Sequence, residues 1–181
     1  MTTTIDDVAD PAARAAVPPP PRWARWAAHA VPLCALPSSL WRIAMAVGIP
    51  VGFTAEALRR DYDVPGWGTL NLIGLSLLVE CLALLTLGLV SPWGERLPRA
   101  VPLVGGRRIP PVFPVVVASL GALAMTLVSF SQLLIWNQVD HGNLSGTGLT
   151  VMGTVYAPLL AWGPLLMAVT VSYHLRHRRS R

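Results

Sequence analysis

Four long apolar stretches alternate with polar connectors along this chain. Phe113 to Trp136 and Leu149 to Tyr173 contain no Asp, Glu, Lys or Arg. Trp67 to Val90 contains one such residue, Glu80, and Trp26 to Phe53 contains one, Arg42. Each stretch exceeds the roughly 20 residues an α-helix needs to cross a ~30 Å hydrocarbon core. Backbone polar groups in lipid must be satisfied within the segment, so each stretch is expected to be helical. The pattern predicts an all-α fold, a polytopic membrane bundle of four transmembrane helices. They are expected at about residues 28–53, 67–90, 113–136 and 149–173, within a membrane domain over 25–175. Residues 1–24 are expected to be a disordered cytoplasmic tail ending in the Pro18–Pro21 run, and residues 176–181 a basic cytoplasmic tail. The three Asp residues among the first ten do not fit a cleavable signal, whose start is basic.

The connectors predict an orientation. Arg14, Arg22 and Arg25 precede the first stretch; Arg96, Arg99, Arg107 and Arg108 lie between the second and third; Arg176, Arg178, Arg179 and Arg181 follow the fourth. The remaining two connectors hold only Arg59 and Arg60. Arginine is retained on the cytoplasmic side, so four crossings with both termini inside fit the alternation. Trp67 and Trp136 then fall at the outer interface, and Trp93 and Tyr173 at the inner one.

The first stretch is irregular, because Pro32, Pro37 and Pro50 each lack a backbone donor. Two arrangements fit it. The helix can run on, tilted and kinked near Pro37; or Trp23 to Leu36 can lie along the inner interface, with the crossing starting at Pro37. Pro158 and Pro164 are expected to kink the fourth helix. Small residues recur every four positions at Ala44, Gly48 and Gly52, and at Gly153, Ala157 and Ala161. Such stripes let helix backbones approach in lipid, so these are the expected helix-contact faces.

Composition agrees with the pattern: 53% of the 181 residues are hydrophobic and 13% charged, against about a quarter charged in a soluble domain. All 14 basic residues are Arg, which together with the Ala, Gly and Pro content suggests a GC-rich bacterial genome and hence a bacterial plasma membrane. The pI of 10.2 is explained by orientation and calls for no nucleic acid.

Chemistry is sparse. Arg42 and Glu80 are the strongly ionisable residues within the stretches, and an ionised group at mid-bilayer costs at least ~2.5–3.5 kcal/mol unless it is paired. On the continuous-helix arrangement the two lie at similar depths and form a candidate intramembrane ion pair. Ser38 and Ser76, one turn before each, complete it. If the crossing starts at Pro37, Arg42 reaches the inner headgroups and Glu80 is left alone. Arg96, Arg99, Arg107 and Arg108 form a candidate site for lipid headgroups or another anion. Cys34 and Cys81 read as buried small hydrophobes, with no CxxC. His29 and His174 sit near the inner face without further ligands, so neither a metal nor a cofactor is expected. There is no HExxH, GxGxxG or nucleophile elbow.

The chain resembles small four-helix integral membrane proteins of actinobacteria. The resembling stretches are Ala35-Leu36-Pro37-Ser38-Ser39-Leu40-Trp41-Arg42, Pro65-Gly66-Trp67-Gly68, Trp93-Gly94-Glu95 with Gly106-Arg107-Arg108-Ile109-Pro110, and Ala161-Trp162-Gly163-Pro164-Leu165-Leu166. The resemblance covers most of residues 30–175. It implies a four-helix membrane protein and brings no activity, cofactor or catalytic residue. The leading expectation is a non-enzymatic accessory or interaction protein, its partners being the lipid bilayer and either another membrane protein or a second copy. A small oligomeric carrier or channel using Arg42 and Glu80 is the alternative. An intramembrane enzyme acting on a lipid or quinone ranks last.

Overall fold

A computed structural model of the chain describes residues 17–91, 112–136, 138, 144 and 146–179. Regular structure among these residues is helical. Helix α1 spans Arg22–Ala46, α2 Ala55–Tyr62 and α3 Trp67–Leu85, which a 3-10 segment, Thr86–Leu89, continues. Helix α4 spans Val112–Ile135, α5 Gly146–Tyr156 and α6 Leu159–Arg179. Three segments are long and apolar enough to cross a membrane: Trp67–Leu89, Val112–Ile135 and Gly146–Arg178, the last being α5 and α6 together. They mark an all-helical membrane protein. Helix α1 has the length, 25 residues, but carries Arg22, Arg25 and Arg42.

Helix α1 runs unbroken through Pro32 and Pro37, as in the continuous arrangement. Its ends differ from those expected, beginning at Arg22 and stopping at Ala46 rather than near Phe53. The stop is a glycine-capped end. Gly48 takes φ +84°, its N–H donates to the Met45 carbonyl at 2.9 Å, and the Ile49 N–H donates to Ala44 at 2.9 Å. These two bonds close the Schellman pattern on the last free carbonyls, and Pro50 then has no N–H with which to resume the helix. The chain turns and forms α2. Thr54 caps that helix by accepting from the Ala57 N–H at 3.1 Å. Glu56 in its first turn and Arg59 and Arg60 in its last complement the helix dipole.

Packing centres on one face of α1. Ala24, Ala28, Val31, Ala35, Ser38, Arg42 and Met45 are all buried and recur every three or four residues, so they share one face. Small side chains along it let neighbouring helices approach closely. Helices α3 and α6 both pack on α1, and α4 packs on α6. The main contacts thus run in the order α3, α1, α6, α4.

Adjacent members are antiparallel. Thr69 donates to the Ala46 carbonyl while Arg42 donates to Ser76 further along α3. Ser129 of α4 donates to Leu159, and Gly121 lies opposite Leu166. Tyr156 meets Arg42 near the end of α1, whereas Arg176 meets Pro18 just before its start. One end of the molecule therefore holds the start of α1, Leu89 and the end of α6. The other holds α2 and the start of α3.

The break between α5 and α6 falls at Ala157 and Pro158. Leu160 and Ala161 donate to the Ala157 and Pro158 carbonyls, three residues back, at 3.1 and 3.0 Å. Proline at position 158 supplies no N–H, so the α-helical ladder lapses there. At Pro164 the helix continues.

Gly52 sets how closely the α1–α2 turn meets α5. A Cβ at Gly52 would stand 2.6 Å from the Gly148 Cα, and its φ is +101°. At Gly48 the φ is also positive, but a Cβ there meets nothing within 4 Å. Gly48→Ala should therefore cost about 1–2 kcal/mol from backbone strain alone. Gly52→Ala should cost more, about 2–4 kcal/mol, because backbone must move as well. Unfolding in detergent compares the two, and equal losses would contradict the close approach.

Candidate functional site

The buried polar node is assembled from three helices. Helix α1 places Ser39 and Arg42 one turn apart, α3 contributes Ser76, and α5 contributes Tyr156, its last residue. Arg42 is 7% exposed. Its Nε donates to Ser76 Oγ at 3.1 Å, one terminal nitrogen to Tyr156 Oη at 3.4 Å and the other to Ser39 Oγ at 3.4 Å. The guanidinium carbon also lies 5.9 Å from the centre of the Tyr156 ring, within cation–π range. Ser76 gives its own proton to the Leu72 carbonyl at 2.7 Å, leaving its oxygen lone pairs to accept from Arg42. The charge is held by neutral hydroxyls and an aromatic face.

The expected Arg42–Glu80 ion pair is not made. Arg42 is satisfied one turn away at Ser76, and no ion pair links the two residues; the pair formed nearby in sequence is Arg60–Asp61, exposed, at 2.8 Å. Glu80 keeps a buried Oε1 with no hydrogen-bond partner. Ser38 also stays out of the node, donating to Ala35 of its own helix at 2.9 Å. Of the four residues read as one cluster, the fold brings together Arg42 and Ser76, while Ser39 takes the role expected of Ser38.

The small-residue stripes are corrected as well. Ala44 is half-buried on α1, but Gly48 and Gly52 lie beyond its end with positive φ, so the three form no helical face. On the fourth stretch, Gly153 sits against the Trp136 indole. Ala157 falls in the break at Pro158, and Ala157 and Ala161 are exposed. The close helix contact lies instead at Gly163, where a Cβ would collide with Thr126 Oγ1 and stand 2.9 Å from the Ala122 carbonyl.

Arg96, Arg99, Arg107 and Arg108 lie outside the described residues. So does Trp93. Cys34 is half-buried, and Cys81 is exposed rather than buried. His29 and His174 are both exposed, and no group of three or more His, Cys, Asp or Glu that could hold a metal occurs among the described residues.

A second arginine clamps the opposite end. Arg176, buried, donates to the Leu89 carbonyl at 2.7 Å and to the Pro18 carbonyl at 3.3 Å. It ties the end of the 3-10 segment and the lead-in to α1 onto α6. Beside it Tyr173, 2% exposed, stacks 4.0 Å from His177. Tyr173 is thus a packed core residue at this end of α6.

The geometry separates two couplings. Ser76→Ala leaves the Arg42 Nε without its acceptor and should cost about 1–3 kcal/mol. A double-mutant cycle of Arg42→Leu with Ser76→Ala should show coupling of about 1 kcal/mol or more. The cycle of Arg42→Leu with Glu80→Gln should stay within about 0.5 kcal/mol of additive. Unfolding in detergent reads both, and strong Arg42–Glu80 coupling would contradict the arrangement.

No family model, curated protein or solved structure matches this chain.

Proposed function

We propose that this chain is a four-crossing protein of a bacterial plasma membrane, with both termini in the cytoplasm. It acts as a non-enzymatic accessory protein, recruiting another membrane protein or a second copy through exposed helix faces. Short basic segments on the cytoplasmic side assist. The arginine distribution supports the orientation. Helix α1 serves as the remaining crossing: at 25 residues it is about 38 Å long. It packs antiparallel against α3 and α6, and its one central charge is ligated.

The observation that carries the reading is α4. Of its 24 residues, Ala122 is the buried one, and its packing partner is α6. Phe113, Leu120, Leu127 and Leu134 are each more than 60% exposed. A crossing with so few internal contacts keeps most of its surface for whatever lies beside it in the bilayer, and helix–helix packing is the means by which such surfaces associate. Photo-crosslinking residues at Leu120 and Leu127, in native membranes, should give one protein adduct of defined mass, while a control on α3 at Leu78 should not. Lipid adducts alone at every position would overturn the reading. Accessibility of a cysteine at Arg60→Cys from outside, with both termini protected, tests the orientation.

A second reading, a small oligomeric carrier or channel, is favoured by one observation, the partnerless Oε1 of Glu80. A buried polar atom left unsatisfied costs free energy and calls for a reason. In liposomes, ion flux that is abolished by Glu80→Gln supports this reading; tight vesicles with verified insertion and no flux for any common ion end it.

A further inference from the structure

Helix α1 has a second face, opposite the one that packs. Arg22, Trp26, His29, Leu33, Leu36 and Leu40 recur at helical spacing and lie on one side, and each of them is exposed. The two halves of this face differ in chemistry. At the start of the helix, Arg22, Arg25, Trp26 and His29 line an open groove of about 540 Å³. Further along there are only leucines, at 65%, 43% and 56% exposure for Leu33, Leu36 and Leu40.

The groove is built for an anion. It holds two guanidiniums and, among the described residues, neither is in an ion pair. His29 donates from Nδ1 to the Arg25 carbonyl at 2.7 Å, which fixes the ring beside the two guanidiniums. Guanidinium forks bind phosphate oxygens two at a time. Trp26 is 78% exposed and Trp23 53%, and exposed indoles mark the level of lipid headgroups. The leucines decide between phosphate sources. A soluble phosphate has no use for an apolar rail continuing from its site, whereas a phospholipid carries its phosphate and its hydrocarbon in that order.

We propose that the groove at the start of α1 binds the phosphate of an anionic phospholipid, whose acyl chain lies along Leu33, Leu36 and Leu40. The site rests on the membrane reading above and uses Arg22 and Arg25 rather than the four arginines between the second and third stretches. It gives α1 two jobs on opposite faces, packing on one and holding lipid on the other.

The test uses the full chain in a neutral detergent, titrated with phosphatidylglycerol, phosphatidylcholine or glycerol 3-phosphate. Thermal unfolding and native mass spectrometry are the readouts. Phosphatidylglycerol should raise the unfolding midpoint and remain bound at one per chain, and the other two should do neither. The Arg22→Gln/Arg25→Gln double variant should weaken phosphatidylglycerol binding about ten-fold; Arg25→Gln alone serves if the double variant does not fold. Arg178→Gln removes an exposed charge from the same end of the molecule but outside the groove, and should leave binding unchanged. Leu33→Gln should weaken the lipid. Equal losses in Arg178→Gln and the groove variants would mean diffuse charge attraction and overturn the site. A response to glycerol 3-phosphate matching that to the lipid would also overturn it, in favour of a soluble phosphate. An N-terminus mapped outside the cell, with lipid retention intact, would reject the orientation and not the site.

Discussion

A guanidinium almost wholly removed from solvent among apolar helices needs acceptors, and no single helix here can supply them all. This constraint organises one end of the molecule. Arg42 finds one hydroxyl on its own helix, one on α3 and one on α5. Each partner must then lie within hydrogen-bond reach of the same side chain, which fixes the rotation of three helices about their axes. Trp41, Met45, Phe53, Leu58 and Val64 form a buried cluster at this end, and Arg42 is 7% exposed, so solvent has little access to its donors. Hydroxyl ligation leaves the positive charge without a carboxylate beside it. The Tyr156 ring face and three oxygen dipoles carry that stabilisation, a softer arrangement than an ion pair and one without a second buried charge to desolvate.

At the other end a different arginine solves a different problem. The 3-10 segment and the residues before α1 present carbonyls with no helical donor. Arg176 reaches two of them from α6. Between the two arginines the packing is almost purely steric: Ala24, Ala28, Val31 and Ala35 are fully buried, and their small size brings α3 and α6 close to the α1 backbone. Polar pins at the ends and small residues between them account for the central place of α1. A helix with a charge near its middle gains by turning that face to its neighbours, because the charge can then be ligated by protein rather than faced with lipid.

Much of this was legible in the sequence. Charge-poor runs located α4 and most of α3 and α6, since length and hydropathy alone decide them. Arg42 was legible as a residue needing ligands, but its partner was not. Depth along two helices matched it with Glu80, while side-chain reach and rotation matched it with Ser76, one turn nearer. Tyr156 came from a third helix that depth matching did not consider. The end of α1 was readable in principle, from Gly48 followed by Pro50, a left-handed glycine and then a residue without N–H. Hydropathy continues past that point through Ile49, Val51 and Phe53, and the apolar run outweighed the stop signal. The contact faces went astray for the same reason: spacing of four marks a helical stripe only where the helix persists, and it ends before Gly48 and lapses at Pro158.

Glu80 and Arg42 therefore answer to separate demands although they lie on neighbouring helices. Arg42 has its donors directed to oxygen and its surroundings packed, so replacing it disturbs a completed structure. The Glu80 carboxyl has an oxygen directed to nothing, so its replacement by glutamine removes no bond seen in the fold. A carboxyl that is costly to keep and whose buried oxygen accepts no hydrogen bond is not explained by the bonding of the fold. If Glu80→Gln leaves stability unchanged, architecture will not account for it, and the carrier reading will rest on a buried carboxyl oxygen that the fold does not use.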